Sequence, residues 1–305
     1  MIDLTVIVLT FNEELHIQRC LNSVNNLDCR YLIVDSFSDD STCEIAKNLG
    51  ADVVQNPFVT QAQQFQWAMD NCDVNSEWVL RLDADETIDE ELIANIKEFI
   101  STNSTDINGA VFHRKHIFMG KWVKHGGRYP LPMLRLFRNG KAHVEQRWMD
   151  EHIVLDDGAS KFLSGGFVDN NLNSVGWFID KHNKYANREM VDIMKKRLYP
   201  DSDPLITEST GFSIKFKRFL KQSLYMKLPY FARPILYFLY RYLLQLGFLD
   251  GARGFAYHFM QGLWYRSLVD LKCLEVEREW KHVQTKEEKL IILERMSGYK
   301  LGEHL

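Results

Sequence analysis

The chain has 305 residues, of which 46% are hydrophobic and 26% are charged, and its formal net charge is -4. This composition is typical of a globular protein that buries a large core in one or two domains. The slightly acidic balance argues against nucleic acid as a partner. Five scattered cysteines without a Cys-x-x-Cys pair favour a reducing compartment, and the start of the chain lacks the positive charge of a signal peptide. We therefore expect a cytoplasmic protein.

Apolar runs alternate with helical patterns over the first hundred residues. Between the runs, apolar residues recur at helical spacing, as they do from Ile17 to Val24, and Glu13 and Glu14 are expected in the first turn of that helix. Successive β-α units predict a GT-A-like or Rossmann-like α/β fold with a mostly parallel sheet and right-handed crossovers. Leu4–Leu9 is expected to be covered on both faces and Trp78–Leu82 to be buried. Tyr31–Val34 and Ala51–Gln55 are the other two predicted strands.

Three of the predicted strands end in polar or acidic residues, and the last of them ends in Asp83-Ala84-Asp85-Glu86. Ligands bind at the carboxyl ends of strands in open α/β sheets. Neither G-x-G-x-x-G nor G-x-x-x-x-G-K-[ST] follows a strand, so dinucleotide and P-loop binding are disfavoured. The charge of a phosphate group would then have to be met by a metal, and Asp85 offers a carboxylate for Mg²⁺ or Mn²⁺.

A structural alternative remains for the two aspartates. Asp83 and Asp85 are two residues apart and would face the same side of an extended chain. They could also simply cap the next helix, which the pattern predicts from Thr87 to Ile100. A metal site would give the pair a function, whereas a helix cap would not. The polar ends of the neighbouring strands favour the metal site.

Three segments between residues 4 and 86, VIVLTFNEE, LIVDSFSDDST and WVLRLDADE, resemble the nucleotide-sugar half of glycosyltransferase family 2. Members of this family are inverting enzymes with a GT-A fold. The resemblance implies that Thr10, Asn12 and Glu13 line the pocket for the nucleoside of a nucleotide sugar.

The same resemblance assigns the acidic residues. Asp35 would contact the base, Asp83 would lie on the ribose or uracil side, and Asp85 would bind Mg²⁺ or Mn²⁺ on the diphosphate. Arg81, in the third segment, is predicted with them to bind the nucleotide sugar.

Two acids and a histidine, Asp150, Glu151 and His152, stand between apolar neighbours and are candidates for general acid/base work. The surrounding stretch, RLFRNGKAHVEQRWMDEHIVL, resembles a branch of family 2 that includes lipopolysaccharide-core β-1,4-glucosyltransferases, in which a glutamate occupies the position of Glu151. Glu151 is therefore the predicted base, with Asp150 as the second candidate. His152 is expected either to orient the base or to reach the metal. A surface turn is the structural alternative.

The segment Gly120–Pro130 mixes cations with aromatic residues between two further predicted strands, Gly109–Phe118 and Met133–Arg138. Aromatic faces stack on sugar rings and cations meet phosphates, so this segment could contact an acceptor or the diphosphate. An ordinary exposed loop has the same composition, and the sequence does not separate the two.

We expect a catalytic domain over residues 1–200 and a helical, basic C-terminal region over residues 201–305. Phe212–Leu249 contains no acid, and prolines and arginines interrupt its apolar part, which disfavours a transmembrane helix. Cations among apolar residues favour a helix in the headgroup plane of an anionic membrane, and a helical subdomain packed on the sheet is the alternative. The cations are Lys215, Lys217, Arg218, Lys221, Lys227, Arg233 and Arg241.

Taken together, the motifs predict an inverting glycosyltransferase that moves a hexose from a nucleotide diphosphate sugar, a UDP-sugar by expectation, to a glycan. Gly247–Gly254 also resembles the tail of the lipopolysaccharide-core branch, whose acceptors are lipid-linked, which implies a peripheral protein on the inner face of the membrane. Two alternatives are a sugar-phosphate nucleotidyltransferase and a non-catalytic scaffold that binds nucleotide sugars. The first lacks its usual Gly-rich loop here, and the second would have no use for both Asp85 and Glu151.

Overall fold

The computed structural model describes residues 2–102, 106–145, 151–199 and 228–301. The chain divides into two compact units. Unit 1 comprises Met1–Asn173 and Phe248–Gly254, and unit 2 comprises Ser174–Gly247 and Phe255–Leu305. The domain boundary predicted between residues 200 and 201 lies outside the described residues.

Eleven strands and nine α-helices are formed by the described residues. The strands β1 to β11 span Leu4–Thr10, Arg30–Asp35, Asp52–Gln55, Trp78–Asp83, Glu86–Ile88, Ile107–Phe118, Lys121–Val123, Pro132–Arg138, Ala142–Val144, Ile153–Leu155 and Ala159–Asn170. The helices α1 to α9 span Ile17–Val24, Thr42–Asn48, Gln61–Asn71, Glu90–Thr102, Val175–Leu198, Ala232–Leu239, Gly251–His258, Tyr265–Trp280 and Lys286–Ser297.

Nine of these strands form one sheet in the order β3-β2-β1-β4-β8-β6-β11-β5, with β7 paired to β6. β3, β2, β1 and β4 run parallel to one another, as the β-α units predict. β8 is antiparallel to both β4 and β6, and β11 is parallel to β6. The predicted α/β fold with a Rossmann-like parallel sheet and a helical C-terminal region is confirmed, and the later strands extend the sheet with antiparallel pairs.

β1, β2 and β4 are largely buried, as their apolar sequences predict, whereas β3 at the edge of the sheet has no buried residue. Val6 and Val8 of β1 belong to a core cluster with Ile17 of α1, whereas Ile7 belongs to a second cluster with Phe65 of α3. Complete burial of such a side chain contributes about 1.5–3 kcal/mol. The two clusters hold the sheet between helices, so the strand ends are positioned by a rigid core.

The segment after the acidic motif differs from the prediction of a helix from Thr87. Glu86–Ile88 forms β5 and pairs with Phe167–Asp169 of β11, and helix α4 begins only at Glu90. Asp89 accepts a hydrogen bond from the backbone N–H of Leu92 at 3.0 Å and caps this helix, as an aspartate at that position commonly does. The cap of this helix is therefore neither Asp83 nor Asp85.

Candidate active site

The acidic motif forms a tight connection between β4 and β5. β4 ends at Asp83, Ala84 and Asp85 form a turn, and Glu86 begins β5. The Glu86 carboxylate accepts a hydrogen bond from the backbone N–H of Asp83 at 2.9 Å, which closes the turn. The expectation that Asp83 and Asp85 share one side of an extended chain is therefore wrong, because the chain reverses between them.

Arg135 of β8 neutralises the two acids at the ends of this turn. Its guanidinium donates to Asp83 Oδ2 at 3.0 Å and to Glu86 Oε1 at 2.8 Å, and only 3% of the residue is exposed. Burial raises the pKa of Glu86 to about 8, against the opposing charge of Arg135. Burial also acts on Asp83, but the charges of Arg135 and Arg81 outweigh it and hold the pKa of that carboxyl below its usual range.

Arg81 of β4 connects the predicted base to the acidic turn. Its guanidinium lies 2.8 Å from Glu151 Oε1 and 3.8 Å from Asp83 Oδ1, and it packs over the ring of Phe65 at 5.2 Å from the centroid. Arg81 and Glu151 are both almost completely buried, with side chains 5% and 8% exposed. Two residues 70 positions apart in the chain are thus held together at the strand edge. Asp150, the second candidate base, lies outside the described residues.

A second group of charges borders the turn on β6 and β11. Asp169 lies 2.9 Å from His116 Nδ1 and 3.5 Å from the guanidinium of Arg114, which is itself 3.9 Å from Glu86. Burial alone would raise the pKa of Asp169, but the charges of His116 and Arg114 outweigh burial and hold this pKa well below its usual range. These residues extend the network of alternating charges around the acidic turn.

Sequence reasoning included Arg81 but missed the other basic residues of this network. Arg135 lies in the apolar stretch Met133–Arg138, and a charged residue at an inward position of a predicted strand was the available signal. Glu86 was visible as the third acid of the motif, but its role in closing the turn depends on contacts with β8.

Two predicted nucleoside-pocket residues lie side by side at the ends of β1 and β2. The Thr10 hydroxyl donates to Asp35 Oδ1 at 2.9 Å, and both residues are buried. Asp35 also accepts hydrogen bonds from the backbone N–H of Ser38 at 2.8 Å and from Gln55 at 3.0 Å. Burial alone would raise the pKa of Asp35, but these hydrogen bonds outweigh it and lower the pKa. Asp35 is therefore held as a carboxylate by its neighbours.

Asn12 joins the loops that follow the two strands. It has a left-handed backbone with φ of 56°, which asparagine tolerates better than most residues. Its N–H donates to Ser38 Oγ at 2.8 Å and its side-chain oxygen accepts from Asp39 N at 3.0 Å. Next to this junction Phe11 and Phe37 are 58% and 55% exposed, two rings that the sequence did not single out.

The carboxylate of Glu13 points to a partner within its own loop. Glu13 Oε2 lies 2.6 Å from His16 Nδ1, and the backbone N–H of Glu13 donates to Thr42 Oγ1 at 2.7 Å. Helix α1 begins at Ile17 and has no acid in its first turn, so the expectation that Glu13 and Glu14 occupy that turn is wrong.

Asp85, the predicted metal ligand, is half-buried in the turn and accepts a hydrogen bond from Asn171 at 2.9 Å. His152, the alternative ligand, is 61% exposed and its ring nitrogen lies 3.2 Å from Glu145. Within the part of the chain that the structure describes, no three His, Cys, Asp or Glu residues are grouped as a metal site. A metal at Asp85 would therefore need most of its ligands from a bound substrate.

The parallel sheet with acids at its carboxyl edge defines a GT-A-like protein, and the sequence model of Glycosyl transferase family 2 matches residues 5–161, more than half of the chain. The chain belongs to glycosyltransferase family 2. The matched region contains every predicted site residue.

Known relatives are similar to parts of the chain. An uncharacterised glycosyltransferase of Rickettsia prowazekii is 28% identical over 203 residues, which are 63% of this chain and 68% of that protein. One from Rickettsia typhi is 38% identical over 103 residues, so the match spans only 35% of its length. Among solved structures, Staphylococcus aureus TarS 1-349 with UDP-GlcNAc is 14% identical, with a TM-score of 0.46 and coverage of 92% of both chains.

Proposed function

We propose that this protein is an inverting glycosyltransferase that moves a hexose from a nucleotide diphosphate sugar, a UDP-sugar, to a glycan hydroxyl. One observation carries the proposal: the guanidinium of Arg81 joins Glu151 to Asp83 and so sets a buried carboxylate beside the acidic turn. A transferase needs a base and a site for the leaving group close together. A scaffold would gain nothing from this arrangement, and the loop after β1 lacks the glycines expected of a nucleotidyltransferase.

The chemistry is a single displacement at the anomeric carbon of the donor sugar. Glu151 takes the proton of the acceptor hydroxyl, the acceptor oxygen forms a bond to the anomeric carbon, and the bond to the diphosphate oxygen breaks. Arg81 holds the carboxylate of Glu151 in one orientation, which is required if the base is to meet the hydroxyl in line. Thr10, Asn12 and Asp35 would hold the nucleoside, with Phe11 available to stack on the base.

A divalent cation fits the donor set at Asp85. Mg²⁺ is commonly bound by one or two carboxylates together with substrate phosphates, which agrees with a single half-buried aspartate rather than a complete protein site. Asp83 fits less well, because its two carboxylate oxygens face Arg135 and Arg81. When bound, Mg²⁺ or Mn²⁺ would offset negative charge on the leaving diphosphate.

The direct test is donor hydrolysis. The protein is incubated with a panel of UDP-, GDP- and dTDP-sugars and Mn²⁺, and release of the nucleotide diphosphate is measured against Glu151→Gln. Release from one donor that depends on Glu151 supports the proposal. Release of pyrophosphate from a sugar phosphate and UTP would instead favour the nucleotidyltransferase alternative, and binding without turnover would favour a scaffold.

The acceptor is proposed to lie along a row of aromatic rings on β6, β7, β11 and the loop after β7. Ring centroids are 4.1 Å apart for Phe162 and His113, 5.7 Å for His113 and Tyr129, and 5.0 Å for Tyr129 and Trp122. Lys124 lies over the Trp122 ring at 5.4 Å, so an anionic group on the glycan could be met here. This arrangement supports a role for the Gly120–Pro130 segment as more than an ordinary loop.

Peripheral membrane binding is also part of the proposal, but its physical basis differs from the predicted one. Arg233 and Arg241 were expected to face lipid headgroups, and the structure buries them at 2% and 7% exposure. Arg233 pairs with the buried Asp270, and Arg241 donates to the Tyr237 hydroxyl at 3.1 Å. An unpaired cation is costly to bury, and these contacts give each of the two buried side chains a partner. The predicted Lys215, Lys217, Arg218, Lys221 and Lys227 lie outside the described residues.

What remains exposed on this part of unit 2 is apolar. We call it the apolar face; its large side chains are each at least 39% exposed, and Leu244 reaches 76%. Such a cluster favours insertion into the outer part of a bilayer. None of the described helices is long and apolar enough to cross one. The apolar face comprises Phe231, Ile235, Leu236, Leu239, Tyr240, Leu243, Leu244, Leu246, Phe255 and Phe259.

Liposome sedimentation distinguishes membrane binding through the apolar face from membrane binding through cations. If the apolar face drives it, binding to neutral vesicles persists at high salt and is lost in Leu243→Gln/Leu244→Gln. Ile291→Gln, which removes another exposed apolar side chain of unit 2, serves as the matched control. Binding only to anionic vesicles at low salt would assign membrane binding to cations. Failure to sediment with any of the vesicles would contradict a membrane location.

A further inference from the structure

Asp85 is held by Asn171, a residue just beyond β11 that no sequence motif singled out. Asn171 Nδ2 donates to Asp85 Oδ2 at 2.9 Å, across 86 positions of sequence. The side-chain oxygen of Asn171 accepts a hydrogen bond from the backbone N–H of Asn173 at 3.0 Å. Because a backbone N–H can only donate, the Asn171 amide has one orientation, with its NH₂ group toward Asp85.

The segment that carries Asn171 is fixed in turn by a buried histidine. His16 has 0% exposure, and its Nε2 accepts a hydrogen bond from the backbone N–H of Leu172 at 2.9 Å. The proton of the neutral ring must therefore be on Nδ1, which donates to Glu13 Oε2 at 2.6 Å. The Glu13 carboxylate thus sets the tautomer that His16 needs in order to hold Leu172.

The backbone on both sides is also tied. The guanidinium of Arg19 donates to the carbonyl oxygens of Asp85 at 3.2 Å and Asn170 at 2.6 Å. The backbone N–H of Asn170 donates to the Asp85 carbonyl at 3.1 Å. The end of β11 and the acidic turn are therefore held as one unit by α1 and the loop before it.

We infer that Asn171 is a positioning residue for Asp85, and that Glu13 and His16 act through Leu172 to place it. The inference rests on the proposed function, in which Asp85 holds the divalent cation. It moves the carboxylate of Glu13 from the nucleoside pocket to the support of the metal ligand. Partners that orient a metal-binding carboxylate typically affect metal affinity about 10–100-fold.

The test is Mn²⁺ affinity, measured by electron paramagnetic resonance titration of the full chain in the presence of UDP. Asn171→Ala is expected to weaken Mn²⁺ binding about 10–100-fold, while UDP binding in EDTA stays unchanged. Asn95→Ala is the matched control, because it removes a side-chain amide that donates to Ser164 at 2.9 Å instead of to Asp85. His16→Leu should shift Mn²⁺ affinity in the same direction as Asn171→Ala.

The outcomes distinguish this inference from the proposed function. If Asp85→Ala loses Mn²⁺ binding and Asn171→Ala binds like wild type, the positioning role is wrong and the metal assignment stands. If Asp85→Ala itself binds like wild type, the metal assignment is wrong. Equal losses in Asn171→Ala and Asn95→Ala would show a general effect on the fold and overturn the inference. If Asn171→Ala binds Mn²⁺ weakly but His16→Leu binds it like wild type, Glu13 and His16 have no part in positioning Asp85.

Discussion

Replacing Arg135 by methionine tests whether the acidic turn depends on one buried cation. Arg135 is 3% exposed and contacts both Asp83 and Glu86, and its guanidinium lies over the Phe167 ring at 5.4 Å from the centroid. Methionine keeps an unbranched side chain here but removes the charge. The substitution leaves the Asp83 carboxylate and the adjacent acid Glu86 without their shared partner. Removing one member of a buried ion pair costs about 3–5 kcal/mol, so we expect a loss of that size in the local stability of β4.

Amide hydrogen exchange is the suitable assay, because the chain has two compact units and a single melting curve would mix them. Peptides covering β4 and β8 should exchange about 10²–10⁴-fold faster in Arg135→Met than in wild type. Arg30→Met is the matched control. Arg30 pairs with the exposed Asp52 at 2.8 Å, and such a surface pair contributes about 0–1 kcal/mol.

A second variant isolates the electrostatic cause. Adding Glu86→Gln to Arg135→Met removes one of the two acids left without a partner, so the double variant should recover about 0.5–3 kcal/mol relative to Arg135→Met alone. The reasoning is refuted if Arg135→Met exchanges like Arg30→Met, or if the double variant is no more protected than the single one.

Three further expectations concern the catalytic acids and the pocket. Glu151→Gln should lower turnover by about 10²–10⁴-fold while nucleotide-sugar binding is retained. If Glu151→Gln turns over normally and Asp150→Asn does not, Asp150 is the base. Asp85→Ala should abolish transfer, and chelation of wild type should do so reversibly; full activity in excess chelator contradicts the metal assignment. The lowered pKa of Asp35 means that its contribution to stability is complete above the ordinary carboxyl range and is lost as the pH falls through its folded value. Acid unfolding followed by circular dichroism should therefore be less steep in Asp35→Asn, and an unchanged profile would contradict this.

Local pattern was enough to predict the first half of the fold. The apolar runs of β1, β2 and β4 and the buried face of α1 follow from side-chain periodicity, which depends only on near neighbours. The polar strand ends followed as well, because parallel strands place their carboxyl ends at one edge. Thr10 and Asp35 could thus be paired in advance, and the structure places them 2.9 Å apart.

The tertiary structure alone decided which partners complete the site. β5 follows β4 in the chain but pairs with β11, a non-local pairing that brings Asp169 and Asn171 to the acidic turn, and periodicity carries no information about such pairing. The sequence pattern also does not show whether a charged side chain faces solvent or a buried partner. Arg233 has the composition of a membrane-facing cation in the sequence, yet it lies against Asp270, because a buried carboxylate 37 positions away makes the inward orientation favourable.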